Sequence, residues 1–145
     1  MTAHDAEAYL HTHIPISSAM GIRALEVGPE AVMLSAPLGV NVNHRSTMFG
    51  GSESALAILA GWTLLHARLQ DRGFDGQIVI QRNAMEYLRP VHDTAVATCH
   101  SPASWDAFDA VLARRGRARI ALEAVVTSRE DVVGRLEGVY VALRR

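Results

Sequence analysis

Between Ala55 and Leu65 the chain is apolar on every side of a helical turn, with Leu56, Ile58, Leu59, Trp62, Leu64 and Leu65 spread around the axis. A helix lying on a surface needs only one apolar stripe, so this one must be wrapped by other structure. No proline interrupts Ser52 to Arg72, and Gly73 supplies a C-terminal stop. The run is too short to span a bilayer, which needs about 20 residues, so no membrane role is expected. The wrapped helix is preceded directly by Phe49-Gly50-Gly51, after the polar loop that starts at Asn41.

The rest of the chain can provide the wrap. Asp5–Ile14 reads as a short helix stopped by Pro15, and two strands, Ile22–Val27 and Ala31–Leu38, are joined by the turn signal Gly28-Pro29-Glu30. After the long helix, Ile78–Leu88 and Thr94–His100 read as strands. Ser101-Pro102 opens a short amphipathic helix closed at Gly116. Arg117–Thr127 alternates, with Ala118, Ile120, Leu122, Ala124 and Val126 on one face, and Val132–Leu143 is a last strand. The expectation is an α+β chain, one domain over residues 1–145, with a curled antiparallel sheet around one long central helix.

Charge excludes one class of partner. Lys+Arg 14 against Asp+Glu 15 gives a net charge of −1, without the basic surplus of a nucleic-acid binder. Cys99 is the single cysteine, so no intrachain disulfide forms, and MTAHDAEAYLHTHIP lacks the apolar core of a signal peptide. A cytoplasmic chain is expected. The seven histidines are scattered, with no metal-ligand spacing, and no cofactor is implied.

The segments HTHIPISSAMGI, LSAPLGVNVNHRSTMFGGS and LAGW, the strand end Tyr87-Leu88-Arg89-Pro90, and ARRGRARI resemble the thioesterase family of the YiiD C-terminal type, from about Tyr9 to Leu143. That resemblance implies the hot-dog fold and hydrolysis of acyl-CoA or acyl-carrier-protein thioesters. It also implies a site shared within a homodimer or dimer of dimers, the long strands pairing edge to edge. The alternatives are a non-catalytic acyl-binding domain and a hot-dog dehydratase or hydratase, which would need His44 working with Glu53 or Glu86.

Thioester hydrolysis must stabilise an oxyanion, and a helix N-terminus presents unpaired N–H groups and a positive dipole end. Gly50 and Gly51 are therefore the expected donors, flanked by Phe49 and Ser52; taken locally, two glycines also suit a plain turn. The resemblance gives Asn43 a role in holding the loop or positioning water, with an Asx-turn brace as the alternative. It also implies an acid about two turns into the helix, but this chain has Ala57, Ile58 and Leu59 there. Glu53 is the nearest substitute. An acid in a first turn ordinarily caps the helix, and capping is the expected role ahead of catalysis.

Glu86 is the second candidate acid. Period-two alternation puts it on a strand face with Ile80, Arg82, Ala84 and Leu88, and places Gln81, Asn83, Met85 and Tyr87 on the other. Arg82 and Asn83 are candidate substrate contacts, as is His44, although a loop histidine beside an arginine is ordinarily just exposed. Arg114, Arg115, Arg117 and Arg119 cluster at a helix–strand junction. Arg115 and Arg117 are the candidates for CoA phosphates or an acidic carrier surface; the plain alternatives are that Arg114 and Arg115 complement a helix C-terminus and that Arg117 and Arg119 form a solvated strand face.

Overall fold

The computed structural model describes residues Met1–Arg145. Helices α1 (Ala3–His13) and α2 (Pro15–Ala19) lead into strands β1 (Arg23–Val27) and β2 (Ala31–Ala36). Helix α3 (Gly50–Asp71) follows, then β3 (Gly76–Tyr87), β4 (Ala95–His100), α4 (Asp106–Arg115), β5 (Arg117–Ser128) and β6 (Asp131–Arg144). The six strands form one antiparallel sheet in the order β1-β2-β4-β5-β6-β3. Helix α3 touches all six strands, which is the wrap that its apolar circumference requires. This is the hot-dog architecture.

The inner face of the sheet carries the residues that alternation selects. Ala95, Ala97 and Cys99 on β4 are fully buried, and Ala118, Leu122, Ala124 and Val126 on β5 are buried between exposed Arg117, Arg119 and Glu123. Small side chains on β4 let the sheet close on the helix, where Leu56 and Leu65 are completely buried. Each such leucine contributes about 1.5–3 kcal/mol relative to exposure. At β6 the contact is tighter: a Cβ on Gly61 would strike the Tyr140 ring, and Tyr140 Oη donates to Ile58 O at 2.8 Å.

Three expectations are corrected. Pro15 does not merely stop a helix. It begins α2 at the first position, where its missing N–H is not needed. Helix α1 starts earlier than expected, because Thr2 and Asp5 form a reciprocal capping box. The two faces of β3 are not continuous either. A bulge between Ile80 and Arg82 leaves Ile78, Ile80, Met85 and Tyr87 facing inward and turns Arg82, Ala84 and Glu86 outward.

Candidate active site

Helix α3 begins at Gly50, two residues before the expected start, so both glycines lie within its first turn. Phe49 is the N-cap residue and makes no side-chain cap. Its carbonyl accepts from Ser52 N at 3.0 Å and Glu53 N at 3.1 Å, while the N–H groups of Gly50 and Gly51 have no acceptor in the chain. The turn is held between two rings. Tyr87 Oη donates to Gly50 O at 3.0 Å, and a Cβ on Gly51 would strike the Phe49 ring. Two unpaired amides on the positive end of a 22-residue helix make an anion-accepting pair.

The loop before them is braced by two asparagines. Asn43 Oδ1 accepts from Arg45 N at 2.8 Å and Thr47 N at 3.2 Å, while its Nδ2 donates to Thr47 Oγ1 and Met48 O. Its amide group is fully engaged within the loop, which is the Asx-type brace. Sequence reasoning passed over Asn41, which is 3% exposed and donates to Met20 O at 2.8 Å and Pro37 O at 2.7 Å. Asn41 O also accepts from Phe49 N at 2.7 Å, tying the loop entrance to the helix N-cap. The Asn-Val-Asn doublet was the only signal for it.

Glu53 is 3% exposed and its Oε1 is fully buried without a hydrogen-bond partner. It does not cap α3, contrary to the expectation. Burial without a compensating charge pushes its pKa up from 4.5 to about 7. The carboxyl lies against β6 at Gly134, which has no side chain to compete with it. A group that gains and loses a proton near neutrality, two residues after free amides, can serve as a general base. The position two turns in holds no acid: Ala57 is fully buried.

Residues 3–144 match the model of the family described as "Putative thioesterase (yiiD_Cterm)". The chain belongs to this family. A solved protein of unknown function from Chlorobaculum tepidum TLS is 27% identical at a TM-score of 0.93, the alignment covering 99% of this chain and 94% of that one. A structure from Shewanella oneidensis described as a "putative thioesterase" is also 27% identical, with a TM-score of 0.88 and coverage of 97% and 96%. A Pseudomonas aeruginosa structure shares the fold at 22% identity and a TM-score of 0.85, covering 100% and 97%.

Within this thioesterase-family fold the remaining candidates separate. Gly50, Gly51, Ser52, Glu53 and Phe49 are together at the start of α3, and Tyr87, which sequence reasoning left out of the site, joins them. Glu86 and Arg82 lie on the outer face of β3, away from Glu53; Glu86 is in register with Arg135. Asn83 pairs in register with Gly138 on the exposed edge strand. His44 is exposed on the loop. Arg115 and Arg117 line a hollow of about 470 Å³ with Arg119 and Gln81. Arg117 pairs with Leu143, nine residues along β6 from Gly134, a separation of about 30 Å at about 3.4 Å per residue. One chain does not bring these arginines to Glu53.

No helix is long and apolar enough to cross a membrane, and no group of three or more His, Cys, Asp or Glu side chains is placed to hold a metal. Cys99 is buried, and burial pushes its thiol up to about 12, so it is packing rather than nucleophile.

Proposed function

We propose that this chain hydrolyses acyl thioesters of CoA or an acyl-carrier protein, with Glu53 as general base and the Gly50 and Gly51 amides as oxyanion donors. The observation that carries the reading is the buried, unpartnered Glu53 carboxyl two residues beyond the free amides. Ionised Glu53 takes a proton from a water molecule, and the water oxygen attacks the thioester carbon. The carbonyl oxygen takes the displaced electron pair and is held by the two N–H groups, each worth about 3 kcal/mol in the transition state. Collapse expels the thiolate, and the proton held by Glu53 goes to sulfur. The products are a carboxylic acid and a thiol.

Phe49 and Ser52 flank the reacting carbonyl in this reading, and Asn43 acts through the loop rather than on water. Two copies share each site, joined through β3. That strand is the twelve-residue end of the sheet, and pairing would cover an edge that otherwise invites aggregation. The unpaired Arg115 and Arg117 are available to the anionic part of a thioester carrier, and His44, Arg82, Asn83 and Glu86 to its outer surface. A non-catalytic acyl-binding role is the second reading, favoured by the absence of an acid at Ala57.

The test is an acyl-CoA panel read by thiol release and by binding. Wild type should release thiol, and Glu53→Gln should lose about 10²–10⁴-fold in kcat. Equal activity in Glu53→Gln removes the base assignment. Binding without release favours the acyl-binding role, and a solution mass of one chain removes the shared site.

A further inference from the structure

The chain that leaves β3 grips the residues leading into α3 at two points. Val91 O accepts from Met48 N at 2.9 Å, and Tyr87 Oη donates to Gly50 O at 3.0 Å, so the contacts fall on either side of the N-cap residue Phe49. The grip starts from a firm strand end. Tyr87 is in register with Gly134 on β6, and just beyond it Val133 O accepts from Leu88 N at 2.8 Å and Arg89 N at 3.2 Å. The Met48 contact joins two backbones. The Tyr87 contact comes from a side chain and lands on the peptide that carries a free donor.

The carbonyl of Gly50 and the N–H of Gly51 belong to one planar trans peptide and point in opposite directions. A hydroxyl that holds Gly50 O therefore also sets where Gly51 N–H points. The turn needs such a hold, because glycine backbone is the most conformationally free and Phe49 supplies no side-chain cap. The Tyr87 ring packs there too: a Cβ on Gly50 would come within 3.3 Å of it. The Glu53 carboxyl lies against Gly134, the cross-strand partner of Tyr87, whose Cα is about 4.5–5.5 Å away. The donor turn and the acid are thus both held against one residue pair of the β3–β6 ladder.

We propose that Tyr87 is a positioning residue for the Gly51 amide: its hydroxyl locks the Gly50–Gly51 peptide so that the N–H meets the thioester oxygen as charge develops there. This rests on the hydrolytic reading above. The phenol bonds only to backbone and takes no part in proton transfer. A donor aimed in advance needs no reorganisation in the transition state, so the effect falls on kcat rather than on substrate binding. Tyr87 is 54% exposed, so its hydrogen bond is exchanged against water and contributes little to stability.

The experiment compares wild type, Tyr87→Phe and Glu53→Gln by thiol release from acyl-CoA along the pH limb of Glu53. Phenylalanine keeps the ring against Gly50 and removes only the hydroxyl. Removing an oxyanion donor outright costs about 10²–10³-fold in kcat, and a donor that is present but loosely aimed should cost roughly tenfold. Tyr87→Phe should show that fall with KM within about twofold of wild type, an unmoved pH limb and an unchanged urea midpoint. Wild-type kcat in Tyr87→Phe, or a raised KM at constant kcat, would overturn the proposal. A shifted pH limb would also overturn it by placing the effect on Glu53, and a lowered urea midpoint by making Tyr87 a structural brace. Full activity of Glu53→Gln, or no thiol release by wild type, would instead overturn the hydrolytic reading on which the proposal rests.

Discussion

Gly134 lies directly against the Glu53 carboxyl: a Cβ placed on Gly134 would collide with Glu53 Oε1 and with Met85 Cε. The glycine in β6 is thus the space in which the acid of α3 sits. Gly134→Ala should displace the carboxyl while leaving the strand pairing intact. A displacement of about 1 Å costs on the order of 10²-fold in rate. The expected result is a kcat loss of that order with KM little changed, measured by thiol release.

Glu53→Gln separates a buried base from a helix cap by the sign of its effect on stability. The folded-state pKa of about 7 lies above the ordinary 4.5. Between these values the folded protein keeps a proton that the unfolded chain has lost, so stability falls as pH rises and levels off above about 7. Glutamine carries no charge and escapes that loss. The variant should match wild type near pH 4.5 and exceed it at pH 8, by up to roughly 3 kcal/mol at about 1.4 kcal/mol per pKa unit. Denaturant midpoints at the two pH values measure it. A destabilised variant at pH 8 would restore the capping role.

The same ionisation should govern the rate. A base must be deprotonated, so kcat/KM should climb with pH along a limb centred near 7 and then reach a plateau. The residual activity of Glu53→Gln should lack that limb. A wild-type profile flat from pH 5.5 to 8.5 would assign the proton transfer elsewhere.

Asn41 and Asn43 should differ in what they support. Asn41→Ala leaves the carbonyls of Met20 and Pro37 without their donor in a buried setting and should cost about 2–3 kcal/mol. Asn43→Ala breaks a half-buried loop brace whose partners are nearer to water, and about 1 kcal/mol is expected. Urea midpoints of the two variants provide the comparison.

Most of the architecture was legible because it rests on periodicity. The alternation of Ala118 to Val126, the small residues of β4 and the all-round apolar surface of α3 each state which side is covered, and the sheet around a central helix follows. The glycines at the helix start were legible too, because a helix N-terminus leaves its amides unpaired whatever packs around it. Tertiary structure alone decided that Glu53 is a buried acid rather than a cap, that Gly134 makes room for it, and that Asn41 ties the loop to the helix. It also decided that a bulge at Ile80/Arg82 sends Glu86 to the outer face. Each of these depends on atoms brought together from distant parts of the chain. Gly134 lies 81 residues from Glu53, and no local pattern around either residue encodes that the two share one space.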